Sequence, residues 1–181
     1  GIGLAVAATA VISRRTGEKN RAAADNAAFQ AILSALIPGI LISLAGILYA
    51  EEILLLMGMS PKLASDYHSY TAIILGSNLV IMLLFIINGI FRSAGDAATA
   101  MKVLWFANIL NIALDPILIF GAGPIPALGI AGAAIATTIG RGLAVLYQFY
   151  LLFRGKGRVG LRLSELKIDI PVILKILRLS G

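Results

Sequence analysis

Residues 102–120 read KVLWFANILNIALDPILIF, an apolar run long enough to cross a membrane with one carboxylate, Asp115, set inside it. On lenient insertion scales a carboxylate in hydrocarbon costs roughly 2.5–3.5 kcal/mol. A chain that keeps one there usually binds a proton, an ion or a substrate with it. Asn108, Asn111 and Asp115 fall at i, i+3 and i+7, one stripe of one helix. Three polar groups on one face give that face somewhere to point other than lipid.

Composition extends this reading to the whole chain. It is 59% hydrophobic and 13% charged, with a mean hydropathy of +0.94, whereas soluble domains run near about 45–50% apolar and 25% charged. The chain is therefore an integral membrane protein. A net charge of +6 and a pI near 9.9 do not point to nucleic acid, because no basic stripe interleaved with aromatics is present. With no cysteine there is no disulfide framework, thiolate metal site or thiol nucleophile.

Apolar segments fall at about Ala22–Ala50, Ala64–Phe91, Ala97–Phe120 and Gly129–Phe153. Each is long enough to cross a core about 30 Å thick. Before them, Gly1–Ser13 is apolar but shorter than the about 20 residues a span needs. It reads as the second half of a helix, and with no initiating Met the chain reads as a piece of something larger. Backbone groups in lipid must satisfy one another, so helices are the expected form. Charge alternates between the segments: Arg14, Arg15, Lys19 and Arg21 against Glu18; then Glu51–Lys62 with Glu51, Glu52 and one Lys at its edge; then Arg92 and Lys102 with Asp96; then the uncharged Gly121–Leu128; then Arg154, Lys156, Arg158, Arg162 and Lys167. By the positive-inside rule the first, third and fifth connections are cytoplasmic. Residues 1–153 thus form the transmembrane bundle. Residues 154–181 read as a basic linker with an amphipathic helix at the cytoplasmic surface, its apolar positions running from Leu163 to Leu177.

Four stretches carry a family resemblance: Gly3–Gly17 (GLAVAATAVISRRTG), Asn88–Asp96 (NGIFRSAGD), Ala107–Gly121 (ANILNIALDPILIFG) and Gly129–Thr137 (GIAGAAIAT). In this order they resemble the multidrug and toxic compound extrusion (MATE) transporters, in their prokaryotic DinF-like and NorM-like branches. The resemblance implies an all-α bundle, part of the N-lobe of a twelve-helix transporter that exchanges cationic drugs for H⁺ or Na⁺ across the cytoplasmic membrane without a cofactor. It places the chain from the end of helix 2 to helix 6, with helix 1 and the C-terminal lobe elsewhere in the parent. It also implies a cation site built from Asp115, Asn111, Thr137 and the carbonyl of Ala133, completed by a helix-1 aspartate outside this chain. If Na⁺ is the coupling ion, Asp115 and Asn111 are its ligands here.

The residues themselves leave alternatives open. Desolvation raises a carboxyl pKa and nearby cations or donors lower it, so a balanced carboxyl can load and release a proton. Asp115 also reads as a helix-end aspartate beside a kink at Pro116. Asn108 and Asn111 serve either as cation ligands or as interhelical glue. Arg141, one turn beyond Thr137, attracts an anion, pairs with a carboxylate or snorkels to the interface. His68, the single histidine, is a proton sensor or part of an aromatic interface belt. Met82, Phe85 and Ile86 line a cavity or pack in the core. Gly155–Gly160 matches G-x-G-x-x-G but follows a membrane helix rather than a strand, and reads as a basic surface anchor.

Two rivals compete with an exporter. A lipid-linked oligosaccharide flippase calls for a cavity richer in Arg and Lys than the single Arg141. A membrane enzyme calls for paired aspartates, a Ser–His pair or H-E-x-x-H, none of which occurs.

Overall fold

The computed structural model describes residues 2–154 together with Gly160, Pro171 and Ile173. The amphipathic helix expected beyond Leu161 and most of the Gly155–Gly160 motif lie outside the described residues. Seven helices run in order: α1 (Ile2–Gly17), α2 (Arg21–Leu48), α3 (Ala50–Leu56), α4 (Pro61–Gly76), α5 (Asn78–Ser93), α6 (Ala97–Phe120) and α7 (Gly129–Arg154). Local chemistry sets several of these ends. Asn20 caps α2 by accepting from the Ala23 N–H. Asp96 caps α6 through the Thr99 N–H, just after Gly95 turns the chain at φ +77°. Pro61 occupies the first turn of α4, where its missing N–H costs nothing.

Four stretches are long and apolar enough to cross a membrane: Arg21–Leu48, Pro61–Ser93, Ala97–Phe120 and Gly129–Arg154. They coincide with the four expected spans to within a few residues, with two corrections. The connection expected over Glu51–Lys62 contains a short helix, α3, whose first-turn Glu51 and Glu52 suit the positive end of its dipole. The span expected over Ala64–Phe91 is two helices, α4 and α5, separated at Ser77. There the Ser77 hydroxyl donates to the Ile74 carbonyl at 2.8 Å, and the Leu79 N–H donates to the Ser43 hydroxyl on α2 at 3.0 Å. A serine from the neighbouring helix thus satisfies a backbone donor beside the break.

Helix α5 is the centre of the bundle and touches α1, α2, α6 and α7. Its Met82, Leu83, Ile86, Ile87 and Ile90 are buried. Against them α2 presents Ala27, Ala28, Ala31 and Ala35, and α1 presents Ala8, Val11 and Ile12. Met82 and Ile86 are therefore core residues, and only Phe85 of the Met82–Phe85–Ile86 stripe turns outward. Small residues matter because lipid tails are as apolar as leucine; helices associate in membranes by close packing more than by escape from water. Helix α6 lies at the edge, contacting only α5 and α7 among the described helices. It buries Ala100, Val103 and Ala107 and turns Met101, Trp105, Ile109 and Ile112 outward.

Candidate functional site

The polar stripe of α6 meets α7 because two glycines let the helices touch. A Cβ on Gly132 would lie 2.6 Å from the Leu118 carbonyl carbon, and one on Gly140 would lie 3.2 Å from the Ala107 carbonyl oxygen and 3.5 Å from the Asn111 nitrogen. At this separation Asn111 reaches across. Its amide nitrogen donates to Asp115 Oδ1 at 3.3 Å and to Thr137 Oγ1 at 3.2 Å. Asp115, Asn111 and Thr137 thus form one connected, half-buried group. The other Asp115 oxygen makes no hydrogen bond to a described residue, so the carboxylate keeps capacity for a proton or a cation. Pro116 has no N–H, which releases the Ile112 carbonyl one turn earlier from the helix ladder.

Ala133 lies one turn before Thr137 in an unbroken stretch of α7, so one lone pair of its carbonyl serves the helix and the other remains. Asn108 is exposed and makes no side-chain hydrogen bond within the described residues. It lines a cavity of about 210 Å³ together with Asn111, Thr137 and Arg141; Leu84 and Phe85 of α5 and Leu104 of α6 supply its apolar wall. Asp115 lies outside that lining and connects to it through Asn111. The five expected site positions therefore gather on one α6–α7 seam. Three of them are joined by hydrogen bonds.

The family profile for MatE matches residues 1–117. The chain belongs to the MatE family. It is 28% identical over 153 residues to a probable multidrug resistance protein NorM of Thermotoga maritima, covering 84% of this chain and 33% of that protein. It is 34% identical over 154 residues to an FAD transporter of Shewanella oneidensis, covering 83% of this chain and 33% of the relative. The structure of a multidrug resistance MATE family transporter in an inward-facing conformation superposes with a TM-score of 0.86 at 30% identity, covering 98% of this chain and 40% of that one. The chain thus spans a third to two fifths of the length of these relatives, as a part of the MATE N-lobe does.

Other polar residues fall elsewhere in this MatE segment. His68 is exposed at the middle of α4, with Nδ1 2.6 Å from the Ser65 carbonyl and Nε2 3.3 Å from the Ser69 hydroxyl; it does not line the α6–α7 cavity. Asn88 is buried in the α5 core. No group of three or more His, Cys, Asp or Glu side chains among the described residues is placed to hold a metal ion. Sequence reading passed over Asp25, which is only 5% exposed and accepts the Gly160 N–H at 3.0 Å. It also passed over Gln30 and Gln148, both fully buried. The signal was available, since an acid and an amide inside the Ala22–Ala50 segment break its apolar pattern as Asp115 breaks its own.

Proposed function

We propose that this chain is part of the N-lobe of an exporter in the cytoplasmic membrane that expels drugs or other toxic organic compounds, cationic ones included, in exchange for H⁺ or Na⁺. The observation that carries the reading is the Asn111 amide shared between Asp115 and Thr137. Protonation would rearrange such a group. With Asp115 ionised, the amide N–H groups satisfy its oxygen and the threonine hydroxyl. With a proton on Asp115, that carboxyl becomes a donor and the amide is free to rotate. Turning the same amide over would present Oδ1 beside the Asp115 carboxylate and Thr137 Oγ1; with the Ala133 carbonyl that the family resemblance adds, this would be an all-oxygen set suited to a hard cation. Either ion would change how α6 and α7 are tied together, and the adjoining cavity would change shape with them. The helix-1 aspartate expected from the family would complete the site from outside this segment. Among the described residues Arg141 is the sole cation lining the cavity, which favours an exporter over a flippase of anionic lipid-linked sugars.

The test is ethidium efflux from cells carrying the full-length protein, wild type against Asp115→Asn, first under an imposed pH gradient and then under a sodium gradient. One gradient should drive the wild type, and the mutant should fall to background at equal membrane expression. Unaltered transport in the mutant would sink the coupling role of Asp115. A wild type that exports nothing under either gradient would move the assignment to the flippase.

A further inference from the structure

Arg141 occupies the middle of α7 (Gly129–Arg154). At 1.5 Å per residue it lies about 18 Å along the helix from Gly129 and about 20 Å from Arg154. That is more than an arginine side chain spans, so the guanidinium does not reach either end of the helix. Among the described residues Arg141 makes no ion pair or hydrogen bond. It is half-buried and lines the cavity that Asn108, Asn111 and Thr137 also line. Asp115 is bonded to Asn111 instead. A guanidinium deep in a span is costly when left alone. Its five N–H donors form a planar fork that fits a carboxylate through two parallel bonds.

We infer that Arg141 is the residue by which this cavity recognises a carboxylate on the transported molecule. The inference rests on the export reading above and deepens it, since it specifies part of the cargo's chemistry. One described cation lines the cavity, which matches the single charge of a carboxylate better than a phosphate dianion. The Asn108 amide, which also lines the cavity, supplies a further donor for a carboxylate oxygen. Leu84, Phe85 and Leu104 form the apolar wall against which the body of such a molecule packs.

The probes are a matched pair: a rhodamine ethyl ester, which is a cation, and the same rhodamine with its carboxylate free. Binding to the purified full-length protein is read by fluorescence anisotropy, and transport by gradient-driven uptake into inverted vesicles. Wild type should bind and move both dyes. Arg141→Gln should weaken the free acid at least about tenfold, the usual scale for losing a charge-assisted bidentate contact, and leave the ester within about twofold. Arg141→Lys keeps the charge without the fork and should fall between them. Equal loss of both dyes in the Gln and Lys variants would overturn the inference, because it would mean that Arg141 holds the fold through a partner outside this chain. Binding of the acid that ignores the substitution would overturn it as well. If neither dye moves but the acid still binds in an Arg141-dependent way, the export reading fails and the recognition role stands.

Discussion

Two seams of this bundle are built with the same device and end with different capabilities. Where α2 crosses the α4–α5 span, Gly39, Ser43 and Gly46 bring the backbones together: a Cβ on Gly39 would lie 2.7 Å from Leu79 Cδ1, and one on Gly46 would overlap the Leu75 side chain. Where α7 crosses α6, Gly132 and Gly140 do the same. At the first seam the polar group is used up. Ser43 accepts the Leu79 N–H, and the cavity near it is lined mostly by apolar groups such as Ile47, Ile73 and Val80. At the second seam polar capacity is left over: one oxygen of Asp115, the whole of Asn108, the guanidinium of Arg141 and a cavity beside them. Close approach alone therefore does not mark a functional seam. The proposed site differs from the other seam by the hydrogen-bonding and charge capacity that packing leaves unspent.

The largest effect should come from filling the glycine contacts. Gly46→Ala and Gly132→Ala each place a methyl group on a neighbouring helix at a distance no real Cβ shows, and overpacking of this kind costs about 1–3 kcal/mol. Both should lower the Tm of the full-length protein in detergent. Only Gly132→Ala, which pushes against the Leu118 backbone three residues beyond Asp115, should also reduce gradient-driven efflux per correctly folded molecule. Equal transport losses from the two substitutions would erase the distinction between the seams. Thr137→Val comes next. It preserves the shape and removes the hydroxyl that accepts from Asn111. One such bond is worth about 1 kcal/mol, so coupled efflux should fall about fivefold with Tm nearly unchanged; a large loss of Tm instead would make Thr137 scaffold.

The spans were legible because hydrocarbon leaves the chain little choice: long apolar runs become helices, and their ends follow Asn20, Pro61 and Asp96. The Asn108–Asn111–Asp115 stripe was legible from spacing for the same reason. That Asn111 rather than Asn108 meets Thr137 came from the family resemblance and not from spacing, since it depends on where α7 crosses, and Gly140 sets that by meeting the backbone at Ala107 and Asn111. The break at Ser77 was hidden because a serine is unremarkable within a span and its support comes from Ser43, whose hydroxyl meets Leu79 36 residues along the chain. Arg141 was visible as a charge in an apolar segment. Its lack of a described partner is a property of the packed bundle and has no trace in the sequence.

Ser43→Ala isolates what the closed seam contributes. It leaves the Leu79 N–H beside the Ser77 break without its acceptor, and an orphaned buried donor costs about 1–3 kcal/mol. Water has little access to this part of a span, so the Tm should drop, while dye efflux per folded molecule stays at wild-type level. A transport defect larger than the stability loss would show that the break itself moves during the cycle, and the closed seam would then be part of the working machinery.

The smallest effect tests the open seam at a resolution of two residues. Gly140 and Gly142 are both helical glycines of α7, but a Cβ on Gly142 would meet nothing within 4 Å, whereas one on Gly140 meets the α6 backbone at Ala107 and Asn111. Gly142→Ala should therefore be neutral or stabilising by up to about 1 kcal/mol, the helix preference of alanine over glycine, and should leave efflux unchanged. Gly140→Ala gains the same preference but must move α6 by a few tenths of an ångström, which lengthens the 3.2 Å reach from Asn111 to Thr137. Its Tm should change little while its coupled efflux declines. If the two alanines behave alike, the α6–α7 approach has slack, and the hydrogen bonds across it do not depend on the closeness that the glycines permit.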